Sequence, residues 1–187
     1  MTSPPSMISR RQYYNQVQAL FDPTGFLAPV PLKGKLLLRK TWEAPNNELG
    51  WDDSLPPDLM KEMIDFFIKL HKREDLEFPQ SIWPEEEITG DLWLVVFSDG
   101  SQLGFGAMVY IRWELTAGGW WSTFVLSKCK IGPKSRISIP RMELNGAVIN
   151  KRLKEFVDLT LTRKFERVIH LVDSSTVLGY LHKEDPG

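Results

Sequence analysis

Cysteine is nearly absent from this sequence, because Cys129 is its one cysteine among 187 residues. This excludes an internal disulfide framework and a cysteine-rich zinc site, and it is typical of proteins in a reducing compartment. The sequence also has no run of about 18 apolar residues, and residues 1–9 lack the apolar stretch of a secretory signal. We therefore expect an intracellular protein that does not associate with a membrane.

The sequence also has no large excess of basic or of acidic residues. The 23 basic and 24 acidic residues give a formal charge of -1, so any binding of nucleic acid would depend on local basic patches. Hydrophobic residues make up 42% of the sequence, which is enough to form the core of a globular protein. The sequence contains no internal repeat, but its character changes near residue 90, where we place a domain boundary.

Residues 1–90 have helical patterns interrupted by prolines, and they predict a small helical segment followed by a linker. The predicted helices cover residues 10–20, residues 32–42 and the segment from Pro57 to about Leu70. Residues 74–90 are acidic and include two prolines, so we predict a linker with few apolar groups to anchor it. The helices should therefore pack loosely on the second part of the chain, or not at all.

Residues 91–187 alternate between strand-like and helix-like segments, which is typical of an α/β domain with a mixed sheet. Residues 92–97 are six consecutive apolar residues and predict a central strand covered on both faces. Further strands are predicted at residues 106–112, 120–127 and 167–172, with a long helix over residues 140–159 and a short helix after Asp173. We expect the two hairpin strands antiparallel on one side of the first strand, the fourth strand parallel on the other, and the long helix covering one face.

Three carboxylates occupy the positions where such a sheet would concentrate its chemistry. Asp99 ends the first strand, Glu143 lies in the first turn of the long helix and Asp173 ends the fourth strand. Alone, each is typical of a turn or of a helix N-terminus. Together they would repel one another unless a divalent cation bound between them, and carboxylate oxygens favour Mg²⁺ or Mn²⁺. The pattern indicates a site for two such ions, about 4 Å apart, that would hydrolyse phosphodiesters.

The motifs around these carboxylates resemble those of ribonuclease H. The similar stretches, in the same order, are Phe97-Ser98-Asp99-Gly100-Ser101, Arg141-Met142-Glu143-Leu144 and Val172-Asp173-Ser174. Upstream, the sequence resembles the segment that follows the reverse transcriptase palm of BEL/Pao retrotransposons. That resemblance rests on Leu20-Phe21-Asp22-Pro23-Thr24-Gly25-Phe26-Leu27-Ala28-Pro29-Val30, Lys33-Gly34-Lys35-Leu36-Leu37-Leu38, Gly50-Trp51-Asp52-Asp53 and Leu55-Pro56. Ile139-Pro140, just ahead of the second carboxylate motif, is also similar to that lineage.

The resemblance implies a ribonuclease H-like fold over residues 91–187, preceded by a thumb-like or connection-like helical segment in a Pol polyprotein with the reverse transcriptase palm upstream. The implied activity is hydrolysis of the RNA strand of RNA/DNA hybrids during reverse transcription, in a cytoplasmic particle or the nucleus. Asp99, Glu143 and Asp173 would be the catalytic residues and the ligands of Mg²⁺ or Mn²⁺. The family's fourth acidic residue follows a fifth strand, which this sequence does not include, so we expect a C-terminally incomplete fold.

Polar and basic residues near the long helix are candidates for nucleic-acid contact. Lys134, Arg136 and Arg141 belong to a basic run that would hold the phosphates of a hybrid duplex, and Ser101 joins them as a candidate. A solvated charged loop is an equally good interpretation of the run.

Two neighbouring tryptophans, Trp120 and Trp121, are candidates for stacking on bases. Adjacent residues on a strand point to opposite faces of a sheet. We therefore expect at least one of the two rings to lie in the core.

Two other functions stay open from the sequence. A non-catalytic, domesticated module would keep the fold and bind nucleic acid or a protein partner without cleavage. An aspartic peptidase is the other, because regions of this lineage have carried that label. Such peptidases have a hydrophobic strand followed by Asp-Thr/Ser-Gly, whereas the order here is Asp99-Gly100-Ser101, so we rank the peptidase last.

Overall fold

The computed structural model describes residues 7–43, 48–72, 81–135 and 137–181. The chain separates into two compact units. One comprises Met1–Asp22 and Pro29–Phe78, and the other comprises Pro23–Ala28 and Pro79–Gly187. We call them the helical unit and the sheet unit. Within the described ranges, no helix is both long enough and apolar enough to cross a membrane.

The described residues of the helical unit form three helices, α1 (Arg10–Gln18), α2 (Pro29–Lys40) and α3 (Pro57–His71). Helix α1 begins with a capping box, because the Ser9 hydroxyl accepts from the Gln12 backbone N–H while the Gln12 side chain accepts from the Ser9 backbone N–H. Helix α2 begins at Pro29, ahead of the predicted residue 32, because proline is tolerated in a first helical turn. The unit has its own apolar core, in which Tyr13 and Met63 are completely buried.

Where the structure describes the sheet unit, it contains four strands and two helices in the predicted order. They are β1 (Ile88–Gly100), β2 (Gly104–Leu115), β3 (Trp120–Ile131), α4 (Ile139–Thr160), β4 (Arg167–Val172) and α5 (Ser175–Leu181). The strands lie in the order β3-β2-β1-β4, with β1 antiparallel to β2 and parallel to β4. This confirms the predicted mixed sheet with the first strand at its centre.

Helix α4 covers one face of this sheet with an apolar core. Alternate residues of β1 point toward it, and Leu92, Leu94 and Val96 are at most 3% exposed. Ile149 and Leu153 of the helix complete the contact. Burial of each such side chain contributes about 1.5–3 kcal/mol, so this face accounts for most of the apolar stabilisation of the unit.

Strand β1 begins at Ile88, so the predicted boundary at residue 90 falls inside a strand. Of the predicted linker, residues 73–80 lie outside the described residues, and residues 81–90 belong with the sheet. Ile82 packs against the sheet core, and its carbonyl accepts a hydrogen bond from the Trp113 indole N–H at 3.0 Å. A buried indole N–H needs such an acceptor. This hydrogen bond therefore holds the segment around Ile82 against the sheet, although its sequence resembles a linker.

Residues Pro23–Ala28 also belong to the sheet unit, although the sequence places them within the helical segment. The Ser127 backbone N–H donates to the Thr24 carbonyl at 2.8 Å, and its hydroxyl donates to the Gly25 carbonyl at 2.6 Å. Gly25 has a φ of 75°, and a Cβ there would collide with the Ser127 carbonyl oxygen. Glycine at this turn therefore lets the segment lie directly on β3.

Two glycines let α4 approach the end of β1 at backbone distance. A Cβ at Gly146 would lie 2.7 Å from the Asp99 carbonyl oxygen. A Cβ at Gly100 would lie 2.5 Å from the Glu143 backbone nitrogen and would also collide with the Met142 carbonyl carbon. Side chains at these two positions would push the helix away from the strand, so the glycines set the separation between them.

A buried amide fastens the same helix to β1 and β4. Asn150, 2% exposed, faces the Val96 carbonyl oxygen at 3.2 Å. A carbonyl only accepts, so the amide atom there is Nδ2, which also donates to the Ser98 hydroxyl at 3.2 Å. The amide Oδ1 then accepts at 2.5 Å from Nδ1 of His170, which must carry a proton. The four residues form one network, and we call it the Asn150 network.

The first prediction concerns the close approach of α4 to β1. Gly146→Ala should lower the free energy of unfolding by about 1–3 kcal/mol, because the added methyl group meets the rigid backbone of Asp99. Urea unfolding measures the loss. Gly179→Ala is the matched control, since a Cβ there meets nothing within 4 Å, and its stability should stay equal or rise by up to about 1 kcal/mol. Equal stability of the two variants would contradict the close packing.

The second prediction concerns the buried amide. Asn150→Ala should cost about 2–3 kcal/mol of stability, because it removes the donor to the buried Ser98 hydroxyl and the acceptor of a part-buried hydrogen bond from His170 Nδ1. Asn145→Ala, a half-buried asparagine on the same helix, should change stability by less than about 0.5 kcal/mol. If both variants unfold at the same urea concentration, the network does not hold the helix.

The third prediction follows from the pKa of His170. Burial, and secondly the charge of Lys154, lower this pKa from 6.5 in the folded state. The unfolded chain therefore binds the proton more tightly, and the contribution of His170 to stability falls as the pH drops below about 6.5. His170→Gln keeps an N–H donor and cannot titrate, so the stability advantage of histidine over glutamine should shrink between about pH 7.5 and pH 5.5. An advantage that grows on acidification would refute this.

Candidate active site

The ends of β1 and β4 bring Asp99 and Asp173 to the same edge of the sheet. The parallel pairing of these strands ends with Ser98 opposite Val172, so the two aspartates are the next residues in register. Neighbouring strands lie about 4.8 Å apart, which makes the two backbones direct neighbours. Both aspartates are exposed to solvent. The backbones of the two aspartates therefore lie side by side at the carboxyl ends of adjacent parallel strands, where α/β proteins bind ligands.

The third predicted carboxylate, Glu143, belongs to the first turn of α4 and is half-buried. Its backbone nitrogen lies against Gly100, the residue that follows Asp99, at the close approach described above. The missing side chain of Gly100 thus brings the helix start to the strand end. Ser98, on the other side of Asp99, is fixed to the same helix through Asn150.

The side chains of the three carboxylates do not form a cluster, although their backbones are close. The Asp99 Oδ1 accepts from the backbone N–H of its own neighbour, Gly100, at 2.6 Å. Across the described ranges, no three His, Cys, Asp or Glu side chains are grouped so that they could hold a metal ion. The donor chemistry of three carboxylates fits Mg²⁺ or Mn²⁺, whereas their side chains do not form a ready ligand group in this structure. Convergence of the three carboxyl groups therefore stays a prediction.

The four residues predicted to contact nucleic acid differ from one another in their structural surroundings. The Ser101 hydroxyl donates to the Gly104 carbonyl at 3.1 Å and accepts from the Leu103 backbone N–H at 3.3 Å, so it closes the turn between β1 and β2. Lys134 and Arg141 are exposed, the latter in the first turn of α4. Arg136 lies outside the described residues. All four assignments remain predictions, and Ser101 has a structural role beside the proposed one.

Residues that the sequence did not single out also shape the site. Asn150 is a polar residue on the apolar stripe of α4, between Ile149 and Leu153, and this interruption is the one sequence signal that marks it. Gly100 gave no separate signal, since glycine after a strand is a common turn residue. Its function depends on the helix that packs against it.

The two neighbouring tryptophans lie as expected on opposite faces. Trp121 packs against the core beneath α4, while Trp120 lies on the other face with its ring centroid 4.5 Å from that of Trp93. Trp120 is therefore the one of the pair that could face a ligand.

Comparison with known proteins agrees with the sequence motifs. Residues 9–174 match the family described as Pao retrotransposon-like RNaseH-like domain. No curated protein matches the chain. Among solved structures, a foamy viral protease-reverse transcriptase dRH in complex with ds DNA is similar at 16% identity and a TM-score of 0.37, over 94% of this chain and 33% of that one. The chain thus spans about a third of that protein, and so low a TM-score supports no inference.

The family match covers most of the chain, including the helical unit from residue 9 and all three carboxylates. It confirms the retrotransposon resemblance that the motifs indicated and agrees with the mixed sheet. The chain belongs to the family of Pao retrotransposon-like RNaseH-like domains.

Proposed function

We propose that this chain is part of the nuclease domain of a retrotransposon Pol polyprotein, and that the complete polyprotein hydrolyses the RNA strand of RNA/DNA hybrids. The single observation that carries this proposal is the register of β1 and β4, which makes Asp99 and Asp173 neighbours at one edge of the sheet. Membership in an RNaseH-like family supports it. The reverse transcriptase palm and the rest of the polyprotein are the proposed covalent partners.

Each proposed catalytic residue comes from a rigid element, which favours exact placement of charge. Asp99 is the penultimate residue of the central strand, Asp173 follows the neighbouring strand, and Glu143 lies in the first turn of a 22-residue helix. The Asn150 network couples these elements, because it joins α4 to Ser98 of β1 and to His170 of β4. A shift of any one element would break a buried hydrogen bond.

The three carboxylates would hold Mg²⁺ or Mn²⁺, and the bound ions would supply an activated water and a charge to stabilise the leaving oxygen. In this chain, the acidic residues would bind the ions and orient them relative to the scissile phosphate. The Asp99 carboxylate would have to leave the Gly100 N–H, with which it is hydrogen-bonded, to take part. Lys134 and Arg141 would contact phosphates, and the 2'-hydroxyl would distinguish RNA from DNA.

The fourth prediction tests these roles. In the complete Pol polyprotein, Asp99→Asn, Glu143→Gln and Asp173→Asn should each lower Mg²⁺-dependent cleavage of a labelled RNA/DNA hybrid by about a thousandfold, or about 4 kcal/mol of transition-state stabilisation. Chelation of the metal should abolish cleavage by the unchanged protein. The rate of appearance of shortened RNA on a denaturing gel measures the effect.

Matched controls remove a carboxylate from the same elements. Asp91→Asn, at the exposed start of β1, and Glu155→Gln, on the exposed face of α4, should leave the cleavage rate within about twofold. Full activity in any of the three site variants would disprove the role given to that residue. Hybrid binding without cleavage by the complete polyprotein would instead identify a non-catalytic module.

A further inference from the structure

The sheet face opposite α4 carries a row of two tryptophans and two arginines. The row consists of Arg167 on β4, Trp93 on β1, Arg112 on β2 and Trp120 on β3, and we call it the Trp–Arg row. Trp93 is paired in register with both arginines, and cross-strand partners point to the same face. Its neighbours Leu92 and Leu94 point to the α4 side, so the row lies on the side away from the helix.

The rings and guanidinium groups of the row are in mutual contact. The Arg167 guanidinium carbon lies 4.9 Å from the Trp93 ring centroid. That of Arg112 lies 4.4 Å from the Trp120 centroid and 5.5 Å from the Trp93 centroid. The row therefore crosses all four strands as one stack of cations and aromatic rings.

Among the described residues, no acidic side chain pairs with the guanidinium group of either arginine. In the part of the chain that the structure describes, neither Arg112 nor Arg167 forms an ion pair or a side-chain hydrogen bond. The closest acidic residue along β2, Glu114, accepts from the Thr89 hydroxyl at 3.4 Å. A guanidinium stacked on an indole still directs its N–H donors outward in its own plane, where they fit a phosphate. The stacking also restricts the arginine side chains before a ligand arrives.

The position of the row relative to Asp99 suggests which ligand it takes. Trp93, Val95, Phe97 and Asp99 alternate along β1 and point to the same face. Asp99 lies six positions after Trp93 along the strand, a distance of about 20 Å at about 3.3 Å per residue. A stacked nucleic-acid strand rises about 3.4 Å per nucleotide, so the row lies about six nucleotides from the proposed cleavage site.

We propose that the Trp–Arg row binds the phosphate backbone of nucleic acid at a second site, away from the carboxylates. The proposal deepens the proposed nuclease function, since this site would hold an arm of the substrate along the sheet. Unpaired cations favour a polyanion over an apolar protein segment. Fixed guanidinium groups favour the regular phosphates of a nucleic-acid strand.

The fifth prediction measures binding without cleavage. In buffer with chelator, fluorescence anisotropy of a fluorescein-labelled RNA/DNA hybrid gives Kd for the whole chain over a series of salt concentrations. Arg112→Gln with Arg167→Gln should raise Kd about tenfold and lower the slope of log K against log salt by about two. Arg152→Gln with Lys61→Gln removes the same charge from exposed positions elsewhere and should change neither quantity.

Three outcomes would overturn the proposal. They are no measurable binding by the unchanged protein, an unchanged Kd and slope in the double arginine variant, and an equal loss in the control. If the double variant does not fold, Arg167→Gln decides, because this residue is exposed on an edge strand and its loss should lower the slope by about one. An unchanged slope in that variant would also refute the site.

The same experiment separates this site from the nuclease proposal. Asp99→Asn should lose cleavage and keep its affinity for the hybrid, since the row is untouched. A Trp–Arg row variant with unchanged affinity would refute the second site and leave the catalytic assignment standing. The unchanged protein could instead form a dimer and bind no nucleic acid. If that dimer dissociates in the double arginine variant, the face is a contact between copies of the chain, and the proposal is refuted.

Discussion

The contact between the start of α4 and the end of β1 is the constraint on which the rest of the sheet unit depends. Gly146 rests on the Asp99 backbone, and Gly100 rests on the peptide between Met142 and Glu143. At this distance no side chain separates helix from strand, so the relative position of Asp99 and Glu143 is fixed by backbone atoms, which cannot change rotamer. Flexible side chains at the same contact would allow the helix to shift.

A polar network in the middle of an apolar contact adds a second constraint. An apolar helix face can slide along a sheet with small changes in buried area, because the hydrophobic effect has no direction. The Asn150 amide satisfies all its partners at one position, and any slip would leave buried polar groups without hydrogen bonds. The network therefore fixes one position of the helix along the sheet. One of its members is Ser98, the residue that precedes Asp99.

The two faces of the sheet have different structural roles. One face is packed against α4 and supplies the core, while the other carries Asp99 and the Trp–Arg row. The alternation of side chains along β1 produces this separation, because successive residues point to opposite faces. The two faces meet at the end of β1, because Glu143 belongs to α4 and Gly100 sets the approach of that helix to the strand.

The sequence by itself determined the strand and helix order, the central place of β1 and the strand-end positions of Asp99 and Asp173, because local periodicity and turn residues encode them. It gave no sign that the Trp113 indole of a distant strand binds the Ile82 carbonyl, ahead of the boundary expected near residue 90. Tertiary structure alone decided the closeness of Gly100 to α4, the Asn150 network and the Trp–Arg row. Each joins residues far apart in the chain, and contacts of that kind leave no periodic pattern in the sequence.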